Sequence, residues 1–186
     1  MEQEFFKWTA DSYCALFHHL AELGIVKAMS FVIDSKDFDE KYCEQEDVRN
    51  AAPFKEMFAQ LMEWNGSPCL YRWEIISQYD ADEIKQTVEN LPKHTPHVSK
   101  SATTDDDTLY VGKSEGCIYG RVIEHLGYHR NKACHGLQLH HWAKQMHLRF
   151  RLHIIVLQPD CLKQPWVMEI FETALATEHK PLIGIH

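Results

Sequence analysis

A short strand followed by a helix, within residues 108–125, constrains this chain more than any other segment. The strand ends in Tyr110-Val111-Gly112-Lys113, and the helix after it carries Arg121 and His125. The strand brings a phenol and an amine to one edge of a sheet. The helix presents a guanidinium and an imidazole on one face, because residues four apart are neighbours on a helix. The segment therefore predicts a site that handles phosphate groups.

The composition predicts a globular protein with a local basic surface. Apolar residues make up 45% of the 186 residues, which is enough for a core. The net charge of −8 argues against a simple nucleic-acid coat. Residues 34–47 hold seven acids and two lysines, whereas residues 113–151 hold seven Lys or Arg against two acids. The second segment is compatible with a phosphate-bearing substrate.

The sequence favours a cytoplasmic protein with reduced thiols. No run approaches the ~18 apolar residues of a membrane span, and the first residues, Met-Glu-Gln-Glu, are unlike the basic start of a secretory signal. No membrane association is therefore expected. None of the six cysteines forms a CxxC pair, so we expect six free thiols.

Hydrophobic periodicity predicts an α/β fold with three strands. Helices are expected over residues 5–23, 53–64, 80–91, 120–126, 136–147 and 166–177. Strands are expected over residues 69–76, 108–111 and 152–157, the last being the most apolar. Residues 1–66 then form an acidic helical extension at the N-terminus, in which residues 34–47 are expected to be exposed.

Further residues extend the pattern of the opening segment in both directions. Cys69-Leu70-Tyr71 lies on the first predicted strand, and Glu172 lies on the last helix, ahead of Lys180-Pro181-Leu182-Ile183-Gly184. In this order, the motifs resemble the GIY-YIG nuclease superfamily over roughly residues 69–184. Within that superfamily, the Tyr-Val-Gly-Lys motif is most similar to the nuclease domain of the excinucleases.

The resemblance implies a small three-stranded antiparallel sheet flanked by helices in residues 67–186. Thirty-eight residues separate Tyr71 from Tyr110, which places a helical insertion at about 79–107 between the first two strands. We expect both strands to remain paired, because the cost of closing a loop grows slowly with its length. Cys69 replaces the first glycine of the family's opening motif, and Gly184 stands where a late asparagine is common.

The resemblance also implies a metal-dependent endonuclease that hydrolyses phosphodiester bonds in nucleic acid, with DNA as the expected substrate. Tyr110 matches the tyrosine that acts as general base in that family. A phenol has an unperturbed pKa near 10, so it needs help at neutral pH. A nearby cation such as Lys113, or a metal-bound hydroxide that takes its proton, would supply it. Tyr71 is expected to be a second phenol that contacts substrate, water or phosphate.

The remaining site residues are assigned to phosphate and metal. Arg121 is expected to hold a non-bridging phosphate oxygen, and His125, Lys113 and Arg130 are expected to add to the same contact. Glu172 is the expected ligand of a single Mg²⁺ or Mn²⁺ ion, whose other ligands are waters. Glu169 lies on the same predicted helix and remains the alternative ligand.

Three other interpretations remain open. A structural zinc ion could use three or four residues of a histidine-rich group, namely His125, His129, Cys134, His135, His140 and His141. A nucleophilic pair could join Cys117 to a distant histidine. The chain could also be a non-catalytic module that binds nucleic acid or protein on a GIY-YIG-like fold.

The acidic N-terminal segment is a candidate surface for a protein partner. Together with the insertion at about 79–107, it is expected to set substrate or partner choice.

Overall fold

A four-stranded antiparallel sheet forms the centre of the fold. The computed structural model describes residues 2–91, 98–99, 107–129 and 136–184. The strands are β1 (Ile25–Asp34), β2 (Cys69–Ile75), β3 (Thr108–Ser114) and β4 (Arg149–Leu157). They stand in the order β1-β4-β2-β3, and every neighbouring pair is antiparallel. The two strands of the predicted site, β2 and β3, therefore lie side by side at one edge.

Seven α-helices flank the sheet in the described ranges. They are α1 (Glu2–Leu23), α2 (Lys41–Glu44), α3 (Lys55–Met62), α4 (Ala81–Glu89), α5 (Ile118–Leu126), α6 (Leu139–Trp142) and α7 (Pro165–His179). Single 3-10 turns cover Ser35–Asp37, Val48–Asn50 and Pro159–Leu162. None of the helices in these ranges is long and apolar enough to cross a membrane.

The sheet separates two apolar layers. On one face, Trp73, Phe150 and Leu152 pack with residues of α3 and α5 in the main core. On the other face, Leu70 and Leu157 pack beneath α1 and α7 in a smaller cluster. Fully burying one such side chain contributes roughly 1.5–3 kcal/mol. The alternation of side chains along a strand thus sends neighbouring residues of β2 into different layers.

The number of strands differs from the three that we predicted. The additional strand is β1, which pairs with β4 from Ile25 opposite Leu157 to Asp34 opposite Arg149. Its residues, Ile-Val-Lys-Ala-Met-Ser-Phe-Val-Ile-Asp, include the β-branched types that favour strands. It is an edge strand and mostly exposed, so it lacks the long buried run that made β4 conspicuous.

Two other expectations about local structure were wrong in part. The helix predicted over residues 136–147 is limited to α6. The acidic segment 34–47 is not simply exposed, because Phe38 and Tyr42 within it are buried in the main core. Their rings pack against that of Phe54. The acids of this segment lie on its outside while its aromatic residues anchor it.

The insertion between β2 and β3 leaves the two strands paired, as predicted. Cys69 lies opposite Ser114, and the ladder continues to Glu74 opposite Thr108 with one irregularity after Trp73. The described part of the insertion contains α4, whose first turn is capped by the carboxylate of Asp80. The hairpin edge is therefore built by strands that are distant in sequence.

Candidate functional site

The two predicted tyrosines lie together on β2 and β3. Their rings stack at a centroid distance of 6.2 Å. Gly112 lies directly opposite Tyr71 in the ladder. A Cβ atom at Gly112 would lie 2.5 Å from the Tyr71 hydroxyl oxygen and 2.8 Å from Cε1 of Tyr110. The glycine of the Tyr-Val-Gly-Lys motif thus makes room for both rings.

Helix α5 carries Arg121 and His125 to the same pair of rings. Its apolar residues Ile118, Val122 and Leu126 are fully buried, which fixes the rotation of the helix against the sheet. The helix ends at Gly127, which has a φ of 90°, and the N–H of Tyr128 closes the last turn on the carbonyl of Ile123.

His125 is fully buried and connects the backbone of Leu137 to the hydroxyl group of Tyr71. Its Nδ1 accepts the backbone N–H of Leu137 at 3.1 Å, and its Nε2 lies 2.8 Å from the Tyr71 hydroxyl oxygen. Burial, together with the charge of Arg121, holds the pKa of His125 well below its usual value, so the ring is neutral. Because Nδ1 is an acceptor, the proton lies on Nε2, which donates to Tyr71.

The hydrogen bonds from Leu137 through His125 to Tyr71 form a series, called the relay below. The hydroxyl group of Tyr71 extends this relay towards Tyr110. Nε of Arg121 donates to the Tyr71 oxygen at 3.4 Å, and the two phenols are hydrogen-bonded to each other. The oxygen of Tyr71 already accepts from His125 and Arg121, so we infer that its own proton is donated to Tyr110. Tyr110 is the last phenol in the relay and is only half-buried.

Burial and the charge of Arg121 act in opposite directions on the pKa values of the two phenols. Burial raises the pKa of Tyr71 and of Tyr110, and the carboxylate of Glu172 raises both further. The guanidinium of Arg121 opposes this effect at both residues. Arg121 itself stays charged: burial disfavours its charge, but the phenols and Glu124 hold its pKa above the usual value. Arg121 also forms an ion pair with Glu124, one turn along α5.

The two acids on α7 have different partners. Glu169 is exposed and binds Nζ of Lys113 at 2.8 Å, and Lys113 also contacts Glu115 at 2.6 Å. Despite partial burial, these two acids raise the pKa of Lys113. Glu172 is half-buried, and its charge acts on both tyrosines. Of Glu169 and Glu172, Glu172 is therefore the one that affects the phenols.

The structure brings together Tyr71, Tyr110, Arg121 and His125, which come from β2, β3 and α5. Glu172 lies on α7, and its charge acts on both phenols. Lys113 does not join them. It lies three residues after Tyr110 on β3, so its side chain leaves the opposite face of the sheet. The cation that lowers the pKa of Tyr110 is instead Arg121. Arg130 lies outside the described residues.

Burial changes the parts that Tyr71 and His125 can play. Tyr71 is 1% exposed and His125 is 0% exposed, so neither can directly contact a phosphate or a bulky substrate in this conformation. Both instead hold the Tyr110 hydroxyl in a defined hydrogen-bond geometry. The accessible groups are those of Tyr110, Arg121 and Glu172, all of them half-buried.

Two contributors to the site were not predicted. The backbone N–H of Leu137 sets the tautomer of His125, and Glu124 pairs with Arg121. The second pair has a sequence signal, since residues three apart on a helix are neighbours. The first has none, because a backbone donor carries no residue-type signature.

Glu172 is one carboxylate that could contribute to a metal site. No cluster of three or more His, Cys, Asp or Glu side chains suited to a metal exists in the described ranges. Glu172 supplies a carboxylate next to the phenols, and Mg²⁺ is commonly bound by one or two carboxylates with waters and substrate phosphate.

His125, the first candidate ligand of a structural zinc ion, has no ring nitrogen available for a metal. Both ring nitrogens of His125 are engaged by Leu137 and Tyr71. Nε2 of His140 lies 3.5 Å from Sγ of Cys43, a residue that was not among the predicted ligands. Cys134 and His135 lie outside the described residues.

The thiol interpretation also lacks a partner. Cys117 is exposed at the start of α5, and no hydrogen bond within the described part of the chain joins its thiol to a histidine. The other cysteines of that part, Cys14, Cys43, Cys69 and Cys161, are free as well. Burial raises the pKa of the Cys69 thiol to about 12, which makes it a packing residue.

Two cavities, of about 510 and 480 Å³, lie away from the tyrosine cluster. One is lined by residues around His140 and Lys144, and the other by residues 42–49 together with Tyr128. Neither contains Tyr110, Arg121 or Glu172. The cluster lies at the end of the sheet formed by β2 and β3.

Comparisons with known proteins identify no relative of this chain: no family model, no curated protein and no solved structure matches it. The resemblance to the GIY-YIG superfamily therefore remains a prediction from the motifs.

Proposed function

We propose that this chain is a metal-dependent endonuclease that hydrolyses phosphodiester bonds in nucleic acid, with DNA as its substrate. One observation carries the proposal. Tyr110, Arg121 and Glu172 come from three separate elements, yet Arg121 donates to Tyr71 at 3.4 Å, the rings of Tyr71 and Tyr110 stack at 6.2 Å, and the charge of Glu172 acts on both phenols. A base, a phosphate-binding cation and a carboxylate are the groups that phosphodiester hydrolysis requires.

In the proposed reaction water attacks the phosphorus, and Tyr110, in its ionised form, accepts the proton of that water. The bond from phosphorus to the departing sugar oxygen breaks, and that oxygen takes a proton from solvent. The buried relay from Leu137 through His125 and Tyr71 holds the Tyr110 oxygen in place and supplies a hydrogen bond to it. Arg121 stabilises that phenolate and is the residue positioned to hold a non-bridging oxygen of the phosphate. Lys113 acts structurally, by joining β3 to α7 through Glu169.

Glu172 is the residue that would hold the Mg²⁺ or Mn²⁺ ion of this proposal. When bound, the ion supplies positive charge that offsets Glu172 and stabilises the developing charge on the phosphate. The carboxylate raises the pKa of both tyrosines in the absence of such a charge. Neutralising Glu172 therefore favours ionisation of Tyr110, which links the cation to the base through electrostatics.

The test is nicking of supercoiled plasmid and of branched DNA with Mg²⁺ or Mn²⁺. We expect Tyr110→Phe and Glu172→Gln to reduce the rate by about 100-fold or more, the range for losing a positioned acid or base. Glu169→Gln is the matched control on the same helix and is expected to keep activity, because Glu169 pairs with Lys113. Equal cleavage by all four proteins, or no cleavage of any nucleic acid, would contradict the proposal. Binding of DNA without cleavage would support the non-catalytic module instead.

A further inference from the structure

The second face of the sheet carries a cluster of charged residues that reaches the last residue of α7, His179. Arg72 and Glu74 lie on β2, opposite His153 and Arg151 of β4. Nε2 of His153 lies 2.6 Å from a carboxylate oxygen of Glu74, and Nη1 of Arg151 lies 3.5 Å from the same oxygen. Charges on the face of a sheet that a helix covers are costly unless they are paired, so these contacts keep the cluster together.

Arg72 is held at the centre of the cluster by three neighbours. Its Nη1 donates to the hydroxyl oxygen of Thr108 at 3.0 Å and lies 3.5 Å from Nδ1 of His179. Its Nη2 lies 3.6 Å from Glu74. A guanidinium is a planar fork of N–H donors, so these contacts fix its plane and its position on the sheet.

A cavity of about 310 Å³ adjoins this guanidinium. Arg72, His153 and His179 line its polar side, and Leu70, Ile155 and Leu175 line its apolar side. The volume is at the lower end of the range of small-molecule sites. An apolar wall beside a few fixed polar groups is the usual composition of such a site.

The local charge of the cluster is positive. Burial opposes ionisation of Glu74, but the hydrogen bond to His153 and the charges of Arg72 and Arg151 keep its pKa below the usual value. Two arginines therefore share this one ionised carboxylate. The cluster attracts anions, although the net charge of the whole chain is −8.

We propose that this cavity binds a small organic anion, with its carboxylate or phosphate group on Arg72 and its apolar part against Leu70, Ile155 and Leu175. Tyr71 also lines the cavity, since it lies between Leu70 and Arg72 on β2. Its side chain leaves the opposite face of the sheet from that of Arg72, so the cavity and the tyrosine rings lie on different faces. The proposal does not depend on the nuclease activity.

Titration calorimetry of the whole chain with hexanoate and hexyl phosphate tests this assignment and distinguishes the two head groups. Hexan-1-ol and hexylamine are the controls for the apolar chain alone and for the opposite charge. We expect saturable binding of one anion per chain and none of either control. Arg72→Gln is expected to weaken binding by about tenfold or more, the effect of losing a charge-assisted hydrogen bond.

A second pair of variants keeps the test decisive if Arg72→Gln fails to fold. Leu175→Phe is expected to fill the cavity and weaken binding by a similar factor, whereas Ile170→Phe, at an exposed position of the same helix, is expected to leave it unchanged. The proposal is overturned if neither anion binds, or if binding is unaffected by Arg72→Gln and Leu175→Phe. It is also overturned if these variants weaken only DNA binding, since the cluster would then belong to a nucleic-acid surface.

Discussion

Gly112 and Tyr71 face each other across β3 and β2, and the ring of Tyr71 lies over the space that a Gly112 side chain would fill. The hydroxyl oxygen of Tyr71 would lie 2.5 Å from a Cβ atom at Gly112, well inside van der Waals contact. The same hydroxyl is bonded to His125 and Arg121. The glycine thus controls the position of the group on which the whole relay depends.

We predict that Gly112→Ala destabilises the protein and disrupts the site together. The added methyl group must displace the ring of Tyr71 or Tyr110, and such overpacking typically costs about 1–3 kcal/mol. Urea unfolding measures the free energy of unfolding of each variant, and DNA nicking measures its activity. Gly116→Ala is the control, because a Cβ atom at Gly116 meets no atom within 4 Å. Equal stability of the two variants would show that the ring does not need this space.

We predict that Tyr71→Phe is more destabilising than Tyr110→Phe. Loss of the Tyr71 hydroxyl leaves Nε2–H of the fully buried His125 without an acceptor, which costs about 1–3 kcal/mol. Tyr110 is half-buried, so its partners can reach water when its hydroxyl is removed. Urea unfolding of both variants at one pH makes the comparison. A Tyr110→Phe variant that is the less stable of the two would contradict the proposed direction of the relay.

We predict that Arg121, and not Lys113, controls ionisation of Tyr110. The charge of Arg121 lowers the pKa of Tyr110 against the effects of burial and Glu172. Arg121→Gln should therefore shift the phenol titration to higher pH, measured by ultraviolet difference spectra against a Tyr110→Phe background. Lys113→Gln is the matched loss of one positive charge and is expected to leave that titration unchanged, since Lys113 is paired with Glu115 and Glu169. Equal shifts of the phenol titration in the two variants would contradict this prediction. Lys113 would then also act as a cation that favours ionisation of Tyr110.

We predict that the protein loses stability as the pH falls below about 6.5, the ordinary pKa of a histidine in an unfolded chain. Burial and Arg121 hold the pKa of folded His125 well below that value. As the pH falls, the unfolded state therefore binds the proton before the folded state does. One such histidine lowers the free energy of unfolding by up to about 1.4 kcal/mol for each pH unit below 6.5. The loss continues until the pH reaches the folded pKa. His140 acts in the same direction, because burial, with a contribution from His141, lowers its pKa to about 4.

Urea unfolding at pH 7.5 and pH 5.5 checks this dependence. The difference in free energy between the two pH values should shrink in His125→Gln and in His140→Gln, and should shrink further in the double variant. A wild-type protein with the same stability at both pH values would exclude a buried neutral His125. The result does not depend on whether the chain cleaves DNA.

Much of the local structure could be predicted because local patterns determine it. The amphipathic helix α1 and the apolar run of β4 carry strong periodicity, and the helix predicted over residues 80–91 is present as α4. The prediction failed where burial depends on distant partners. The edge strand β1 exposes most of its residues, and the buried Phe38 lies within an acidic segment. The β-branched residues of β1 are a weak local signature, and the burial of Phe38 has none.

The sequence by itself determined which chemical groups are available: two tyrosines, an arginine, a histidine and an acid in a fixed order, with a glycine between the second tyrosine and the helix. Only the tertiary structure decided what each group can reach. Strand alternation sends Lys113 to the other face of the sheet, where it pairs with Glu169. Packing of α5 buries His125 against Tyr71. The physical reason is that residue order sets chemistry and local geometry, whereas burial, pKa and partners arise from elements that meet across the sheet.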